Sequence, residues 1–344
     1  MKEFFNRLLT GMSIGIVVSL IPNALVGEIF KLLIPHAPFL KPILNLTVIA
    51  MSMLPAMIGV MVGMTFKLTP IQTASVGLAA VVGSGVITMK DGIMTLAGIG
   101  VVLNTGITAA LTVLFVQFIG AKLKDYTILL MPTLAIFIPG FIGYSILPYV
   151  KTGTGVIGLG IQHVTNLQPV LMGAIIAIIF CILILSPLST VGVATVIMLS
   201  GIGAGAANLG IVSAGVGLCI ASYKANSLGT ALAHVLGSPK IQMRNFFMKP
   251  KIAFPMLITA AILGALAGIF NIQGTPMSAG FGLSGLIGPL NYINLTNDGW
   301  TTTNITIMIA IFFVLPIVLN TILLRLFEHK FKMIEAKDYK ISIE

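Results

Sequence analysis

No Asp, Glu, Lys or Arg interrupts residues 152–223, which read TGTGVIGLGIQHVTNLQPVLMGAIIAIIFCILILSPLSTVGVATVIMLSGIGAGAANLGIVSAGVGLCIASY. A helix that crosses a bilayer needs about 20 predominantly apolar residues, so this run alone holds several membrane-spanning helices. Of all 344 residues, 57% are hydrophobic and 8% are charged, against about 25% charged in soluble domains. Such a chain cannot coat a water-soluble globule with polar side chains, which excludes a cytosolic enzyme.

Apolar runs bounded by charged or turn residues predict nine candidate spans. They cover residues 8–34, 42–66, 71–89, 92–120, 127–150, 169–198, 200–222, 252–271 and 303–327. Lys and Arg near both ends of the chain predict that both termini are cytoplasmic, which requires an even number of crossings. The odd count therefore predicts one further passage, between Lys224 and Lys240.

Two short apolar stretches predict re-entrant hairpins, namely ANSLGTALAHVLGS at residues 225–238 and TPMSAGFGLSGLIGPL at residues 275–290. Each is too short to cross comfortably as a helix. Irregular backbone at membrane depth must line protein or a water-filled cavity, and paired broken half-spans point to a transport site. Gly280, Gly282 and Gly285 are expected to shape the backbone there. The alternative is that both stretches form tight helix contacts or surface loops.

The predicted fold is therefore an all-α polytopic integral membrane protein with about ten transmembrane helices and two re-entrant hairpins. Residues 1–327 are expected to form a single transmembrane domain, and residues 328–344 a short cytoplasmic tail. The net charge of +10 fits the excess of Lys and Arg in cytoplasmic loops.

Uncharged hydrogen-bonding side chains within apolar sequence are the candidates for solute binding. The segment IQHVTNLQP at residues 161–169 concentrates such groups, which suit a polyhydroxylated, uncharged solute better than an ion. An extracellular loop between spans is the alternative for that segment. The predicted substrate-binding residues are His163, Asn166, Asn226, His234, Ser284 and Asn291. Which residues are catalytic is left open.

Several kinds of site are not expected. Cys181 and Cys219 lack the spacing of metal ligands, so no metal is predicted, and the chain has no GxxxxGK[ST] phosphate loop. GxGxxG patterns begin at Gly153 and Gly280, but neither has the βαβ context with an acidic residue that a dinucleotide needs. No cofactor is therefore expected. No basic stripe with interleaved aromatic residues indicates nucleic-acid binding.

Three segments carry a resemblance to a known family, NRLLTGMSIGIVVSLIPNALVGEIFK (residues 6–31), SPKIQMRNFFMKPKIAFP (238–255) and SAGFGLSGLIGP (278–289). Together they resemble the enzyme IIC membrane proteins of the bacterial phosphotransferase system, and in particular a subgroup labelled as perfringolysin or toxin regulators. The likeness extends over nearly the whole chain.

This resemblance implies a homodimeric sugar permease of the bacterial cell membrane, with about ten spans and two hairpins around the substrate. It also implies a separate cytoplasmic IIB protein that phosphorylates the sugar. The basic segment with Lys240, Arg244, Lys249 and Lys251 is then the expected docking face for that partner.

One departure from the family leaves alternatives open. Enzyme IIC proteins of the glucose type use a Glu in a hairpin, whereas residues 225–238 and 272–297 contain neither Asp nor Glu. His163 or His234 could act as the base instead, or the solute could pass unmodified. A membrane-embedded ligand sensor without transport is the alternative function.

Overall fold

The computed structural model describes residues 2–341 except residues 91, 97 and 277, and does not describe the side chains of residues 24, 25, 28, 32 and 90. Contacts within the chain divide it into two units, one up to Gly153 and one from Thr154 onward. Nearly all described elements are helices, and the described residues contain one two-stranded sheet. The predicted all-α membrane fold is confirmed. The single domain of residues 1–327 with its tail stays a prediction.

The first unit consists of helices and one β-hairpin. Its elements are α1 (Lys2–Leu33), α2 (Leu40–Ser52), α3 (Leu54–Thr65), α4 (Pro70–Ser84), β1 (Ile87–Lys90), β2 (Ile93–Leu96), α5 (Val102–Leu123), α6 (Thr127–Ala135) and the part of α7 (Phe141–Val164) up to Gly153. Local sequence explains where α4 begins, because Thr69 and Gln72 form a capping box and Pro70 is the first helical residue.

Small residues let the helices of the first unit approach one another closely. A Cβ atom added to Gly11 or Gly15 of α1 would lie 2.5 Å or 2.6 Å from a backbone Cα of α3, at Val62 and Ile58 respectively. Such spacing of small residues is typical of helix contacts in lipid. It allows α1 to lie directly against the α3 backbone.

The second unit contains the remaining elements. They are the last turns of α7, followed by α8 (Pro169–Ile184), α9 (Thr190–Val196), α10 (Gly201–Ser222), α11 (Leu228–Leu236), α12 (Met243–Met248), α13 (Phe254–Ile269), α14 (Ile287–Leu295), α15 (Thr302–Ile309) and α16 (Leu315–Arg325). Short 3-10 and π turns join several of them, including Ser278–Gly280, Ser284–Leu286 and Ala336–Tyr339.

Helix α10 forms the centre of the second unit. All its residues from Gly203 to Leu218 are buried, and α8, α11, α13 and α16 pack around it. Glycine makes this possible, since a Cβ at Gly210 would overlap the backbone carbonyl oxygen of Ala177 in α8. Polar contacts add to the packing, because Ser213 Oγ donates a hydrogen bond of 2.6 Å to the Met256 carbonyl oxygen in α13.

The length and composition of the described helices give a number of candidate membrane spans. Among the described residues, five helical stretches are long and apolar enough to cross a membrane, or six if α2 and α3, which meet at a 47° bend, form one span. Helices α4 and α8 are apolar but shorter, whereas Val102–Val164 forms one stretch of 63 residues, which is longer than one crossing requires. The multi-pass character is confirmed, and the number of about ten is not.

Three predicted spans have different boundaries in the structure. The expected spans 71–89 and 92–120 include the antiparallel pair β1 and β2, in which Thr88 lies opposite Thr95, as suits β-branched residues. The expected span 169–198 is two helices, α8 and α9, because Pro187 and its neighbours interrupt the helix.

Candidate functional site

A buried asparagine in α10 holds the second hairpin segment, residues 275–290. Asn208 is fully buried, its Oδ1 accepts a hydrogen bond of 3.1 Å from the Gly282 backbone N–H, and its Nδ2 donates one of 3.4 Å to Ser278 Oγ. Asn208 is seven residues after the start of α10, which corresponds to about 10 Å along the helix. The second hairpin segment is therefore fixed to the interior of the helix rather than to its end.

The backbone of this segment is irregular where it meets α10. Gly282 has φ +61°, and its carbonyl oxygen accepts a hydrogen bond of 2.8 Å from the Gly288 N–H. Gly285 and Leu286 both have φ +59°, a conformation that favours glycine. As a result, residues 278–286 do not form a membrane-crossing helix, and α14 begins only at Ile287.

A second polar contact fixes the same segment to α9. Thr190 is buried, and its Oγ1 donates a hydrogen bond of 3.0 Å to the Gly280 carbonyl oxygen. A Cβ at Gly280 would overlap Val191, so this position admits only glycine at the observed separation. Of the predicted hairpin glycines, Gly280 thus lies against α9 and Gly282 against α10.

The first hairpin segment, residues 225–238, contains the short helix α11. Ser227 caps it, with its Oγ accepting a hydrogen bond from the Thr230 N–H. The nine residues of α11 extend about 13 Å, which is less than half the thickness of the hydrocarbon core. The segment therefore cannot cross the membrane as one helix.

His234 is the buried polar residue of α11. It is 0% exposed, and its Nδ1 lies 2.9 Å from the Ala231 carbonyl oxygen. This contact makes Nδ1 the protonated donor, so Nε2 carries a lone pair. Nε2 is buried and has no hydrogen-bond partner among the described residues. A buried acceptor without a donor is costly and marks a position where a ligand hydroxyl would be favourable.

The two hairpin segments meet at a small cavity beside α10. His234 lines this cavity together with Gly215 of α10 and with Phe281 and Leu283 of the second segment. Its volume is about 10 Å³, enough for about one water molecule. Ser284 adds a long hydrogen bond of 3.5 Å to the carbonyl oxygen of Leu236, at the end of α11. The structure therefore brings the segments of His234 and Ser284 together.

Two of the predicted substrate-binding residues lie on a surface turn. His163 is exposed in the last turn of α7, and Asn166 is exposed in the connection to α8. Neither lines the cavity beside His234. Their role in binding the solute stays a prediction.

The other two candidates make contacts within the protein. Asn291 is half-buried in α14, and its Oδ1 accepts a hydrogen bond of 3.2 Å from Thr275 Oγ1. Asn226 donates from Nδ2 to the Tyr339 carbonyl oxygen and accepts at Oδ1 from the Ile341 N–H. The side chain of Asn226 thus contacts the end of the described chain rather than the cavity.

The four basic residues of the expected docking face differ in environment. Lys240 is buried, and its Nζ donates to the carbonyl oxygens of Ser186 and Leu188, at 2.5 Å and 2.7 Å. This burial lowers the pKa of Lys240 to about 7. The three others are more accessible: Lys249 is half-buried and pairs with Asp338 at 2.5 Å, Arg244 is half-buried, and Lys251 is exposed.

Asn208 and Thr190 were not among the residues predicted from the sequence. Asn208 carries one signal, because it is an isolated amide within the apolar run GIGAGAANLGIVSAGVG at residues 201–217. Buried polar groups in such runs need partners. Those partners are 70 or more positions further along the chain, and no local pattern indicates them.

Comparison with known proteins gives one match. The family model described as Phosphotransferase system, EIIC matches residues 6–341. No curated protein and no solved structure matches the chain significantly.

Proposed function

This chain belongs to the EIIC family of the phosphotransferase system, whose members are membrane sugar permeases, and from this premise we propose that it carries a small uncharged sugar through the site between residues 225–238 and 275–290. The observation that carries the proposal is the unpartnered Nε2 of His234 beside a cavity that both segments line. A sugar hydroxyl would donate to this nitrogen.

The cavity is too small for a sugar, since about 10 Å³ holds about one water molecule. Sugar binding then requires the two segments to separate. Gly285 and Leu286, which both have positive φ, lie between the residues that contact α10 and the start of α14. A change of backbone angle at these two residues would move the second segment. Alternating access of this kind is typical of transporters with broken helices.

Coupling to phosphorylation is part of the proposal. A cytoplasmic IIB protein would dock at the basic segment that includes Arg244, Lys249 and Lys251, with both termini on the same side of the membrane. The sugar hydroxyl oxygen would form a bond to the phosphorus on IIB as the bond from phosphorus to the IIB side chain breaks. That side chain would be the leaving group, and His234 Nε2 would take the hydroxyl proton. His234 is proposed for this step because residues 225–238 and 272–297 contain no Asp or Glu. The working form would be a homodimer.

Ligand sensing is the second candidate, and the position of α11 favours it. His234 is six residues before Lys240, which binds the turn after α8 through Ser186 and Leu188. A ligand at His234 would therefore shift the segment that a cytoplasmic partner contacts. In this case ligand binding would occur without uptake.

Transport by reconstituted protein tests the proposal. Proteoliposomes with purified protein are supplied with radiolabelled sugars, with and without the cytoplasmic phosphotransferase proteins. We expect His234→Ala to lower uptake by about tenfold or more, and His36→Ala, at an exposed position, to leave it unchanged. The variant His234→Gln separates the role of His234 as a hydrogen-bond acceptor for the sugar from its role as a base, because glutamine accepts a hydrogen bond but is not a base. Uptake that is insensitive to His234 would contradict the proposed site, whereas ligand-induced thermal stabilisation without uptake would favour the sensor.

A further inference from the structure

The last described residues of the chain lie on the basic face that contains Lys249. Residues 335–341, here called the clasp, include a 3-10 turn at Ala336–Tyr339. Lys249 Nζ pairs with Asp338 Oδ2 at 2.5 Å, and the Asp338 side chain is only 11% exposed. The carboxylate that neutralises this lysine therefore comes from the same chain.

Amide side chains bind the main chain of the clasp. Asn226 forms a pair of hydrogen bonds, donating to the Tyr339 carbonyl oxygen at 2.9 Å and accepting from the Ile341 N–H at 2.8 Å. Gln242 donates to the same Tyr339 oxygen at 2.8 Å, and Asn245 donates to the Lys340 carbonyl oxygen at 2.9 Å. Contacts of this kind recognise an extended peptide irrespective of its side chains.

Two side chains of the clasp add specificity. Besides the pair that Asp338 makes with Lys249, Tyr339 is buried and its hydroxyl donates a hydrogen bond of 3.0 Å to the Ile252 carbonyl oxygen. The clasp thus contributes an acidic residue followed by an aromatic residue to these contacts.

A cleft separates part of the clasp from the helices beneath it. Its volume is about 240 Å³, and Glu335, Ala336 and Tyr339 line it together with Lys224, just after α10, and Arg325 of α16. The clasp is therefore held mainly by polar contacts at its main chain and by one aromatic side chain, as expected of a segment that opens locally.

We propose that the surface formed by Asn226, Gln242, Asn245, Lys249 and Ile252 is a peptide-binding site, that the clasp is its detachable occupant, and that an acidic extended segment of a cytoplasmic protein takes the site when the clasp leaves. This rests on the proposed function in one respect, the assignment of this face to the cytoplasm. Because the clasp covers Lys249, a docking partner and the clasp compete.

Peptide binding tests the proposal without any knowledge of the partner. The chain shortened to end at residue 334 is purified, and the anisotropy of a labelled peptide with the sequence of residues 335–344 is measured. A second peptide keeps only the Asp–Tyr pair in an Ala/Ser background, and a third replaces only that pair by alanine. We expect the first two peptides to bind the shortened chain with similar affinity and the third to bind it at least about tenfold more weakly. The first peptide should also bind the full-length chain at least about tenfold more weakly than the shortened chain. Asn226→Ala in the shortened chain weakens binding, whereas Asn294→Ala, at an exposed position of α14, does not.

Hydrogen exchange in the full-length chain provides a measurement that does not depend on the shortened variant. We expect the Ile341 amide to exchange much faster than amides of α10, and faster still in excess peptide. A shortened chain that melts normally but binds no peptide would overturn the proposal, as would exchange at Ile341 as slow as in α10. Equal binding of all three peptides would overturn the acidic, aromatic specificity. Sugar uptake is measured separately, so loss of uptake with intact peptide binding would count against the proposed transport function alone.

Discussion

The side-chain oxygen of Asn208, inside the buried helix α10, accepts a hydrogen bond of 3.1 Å from the backbone N–H of Gly282. This hydrogen bond joins the interior of a long apolar helix to an irregular segment 74 residues later in the chain. It fixes the second hairpin segment beside His234.

Asn208→Leu should destabilise the protein and reduce transport. The substitution keeps a similar volume but leaves the Gly282 N–H without its acceptor, at a cost of about 1–3 kcal/mol for the buried amide. It also removes the contact to Ser278 Oγ, which keeps its hydrogen bonds to Thr275. Thermal melting in detergent and sugar uptake measure the two effects. Asn294→Leu, at an exposed position of α14, is the matched control and should change neither. Equal melting temperatures for the two variants would show that the Asn208 contact does not support the segment.

Gly282→Ala should impair the protein more than Gly299→Ala. Both glycines have positive φ, +61° and +56°, so both substitutions carry the same backbone cost of roughly 1–2 kcal/mol. Only at Gly282 would the new Cβ also lie 2.8 Å from the Ile211 side chain, whereas nothing lies within 4 Å of it at Gly299. The difference in melting temperature between the variants isolates the packing against α10. A larger loss for Gly299→Ala would contradict the described packing.

The stability contributed by Lys240 should depend on pH. Burial lowers its pKa from 10.5 to about 7, so between these values the unfolded chain binds more protons than the folded chain. Stability associated with this group therefore rises as the pH increases from about 7 to 10.5 and is lost as the pH falls. Lys240→Met removes this dependence, so its melting temperature relative to that of the wild type should increase as the pH is lowered from 10 towards 7.

The control for this measurement is Lys251→Met, because Lys251 is exposed in the same segment. Comparing the two variants separates the effect of burying Lys240 from that of removing one positive charge. A melting temperature of Lys240→Met that differs from the wild type by the same amount at every pH between about 7 and 10 would mean that the Lys240 ammonium is not desolvated in the folded protein.

Composition and run length were enough to predict the helical membrane fold and the two interrupted segments. The segment of residues 225–238 is too short for a crossing, and Gly280, Gly282 and Gly285 indicate irregular backbone in the other. Both features are local, and the structure has α11 in the first and turns in the second.

The partners of these segments could not be predicted, because they depend on contacts between distant parts of the chain. Thr190 and Gly280 are 90 positions apart, and Asn226 and Ile341 are 115 apart. Asn226 has the same kind of polar side chain as a residue that binds a solute, so only the fold shows that it binds the clasp instead. The predicted span boundaries were wrong where Pro187 or a short β-hairpin interrupts an apolar run. Hydropathy alone indicates neither interruption.

The most direct test of the central claim is a structure of the protein with a transported sugar bound. We predict density for the sugar between residues 225–238 and 275–290, with a hydroxyl at about 2.8 Å from His234 Nε2 and with the two segments further apart than here. Sugar density beside His163 and Asn166, with the cavity at His234 still closed to about the size of one water molecule, would contradict the account.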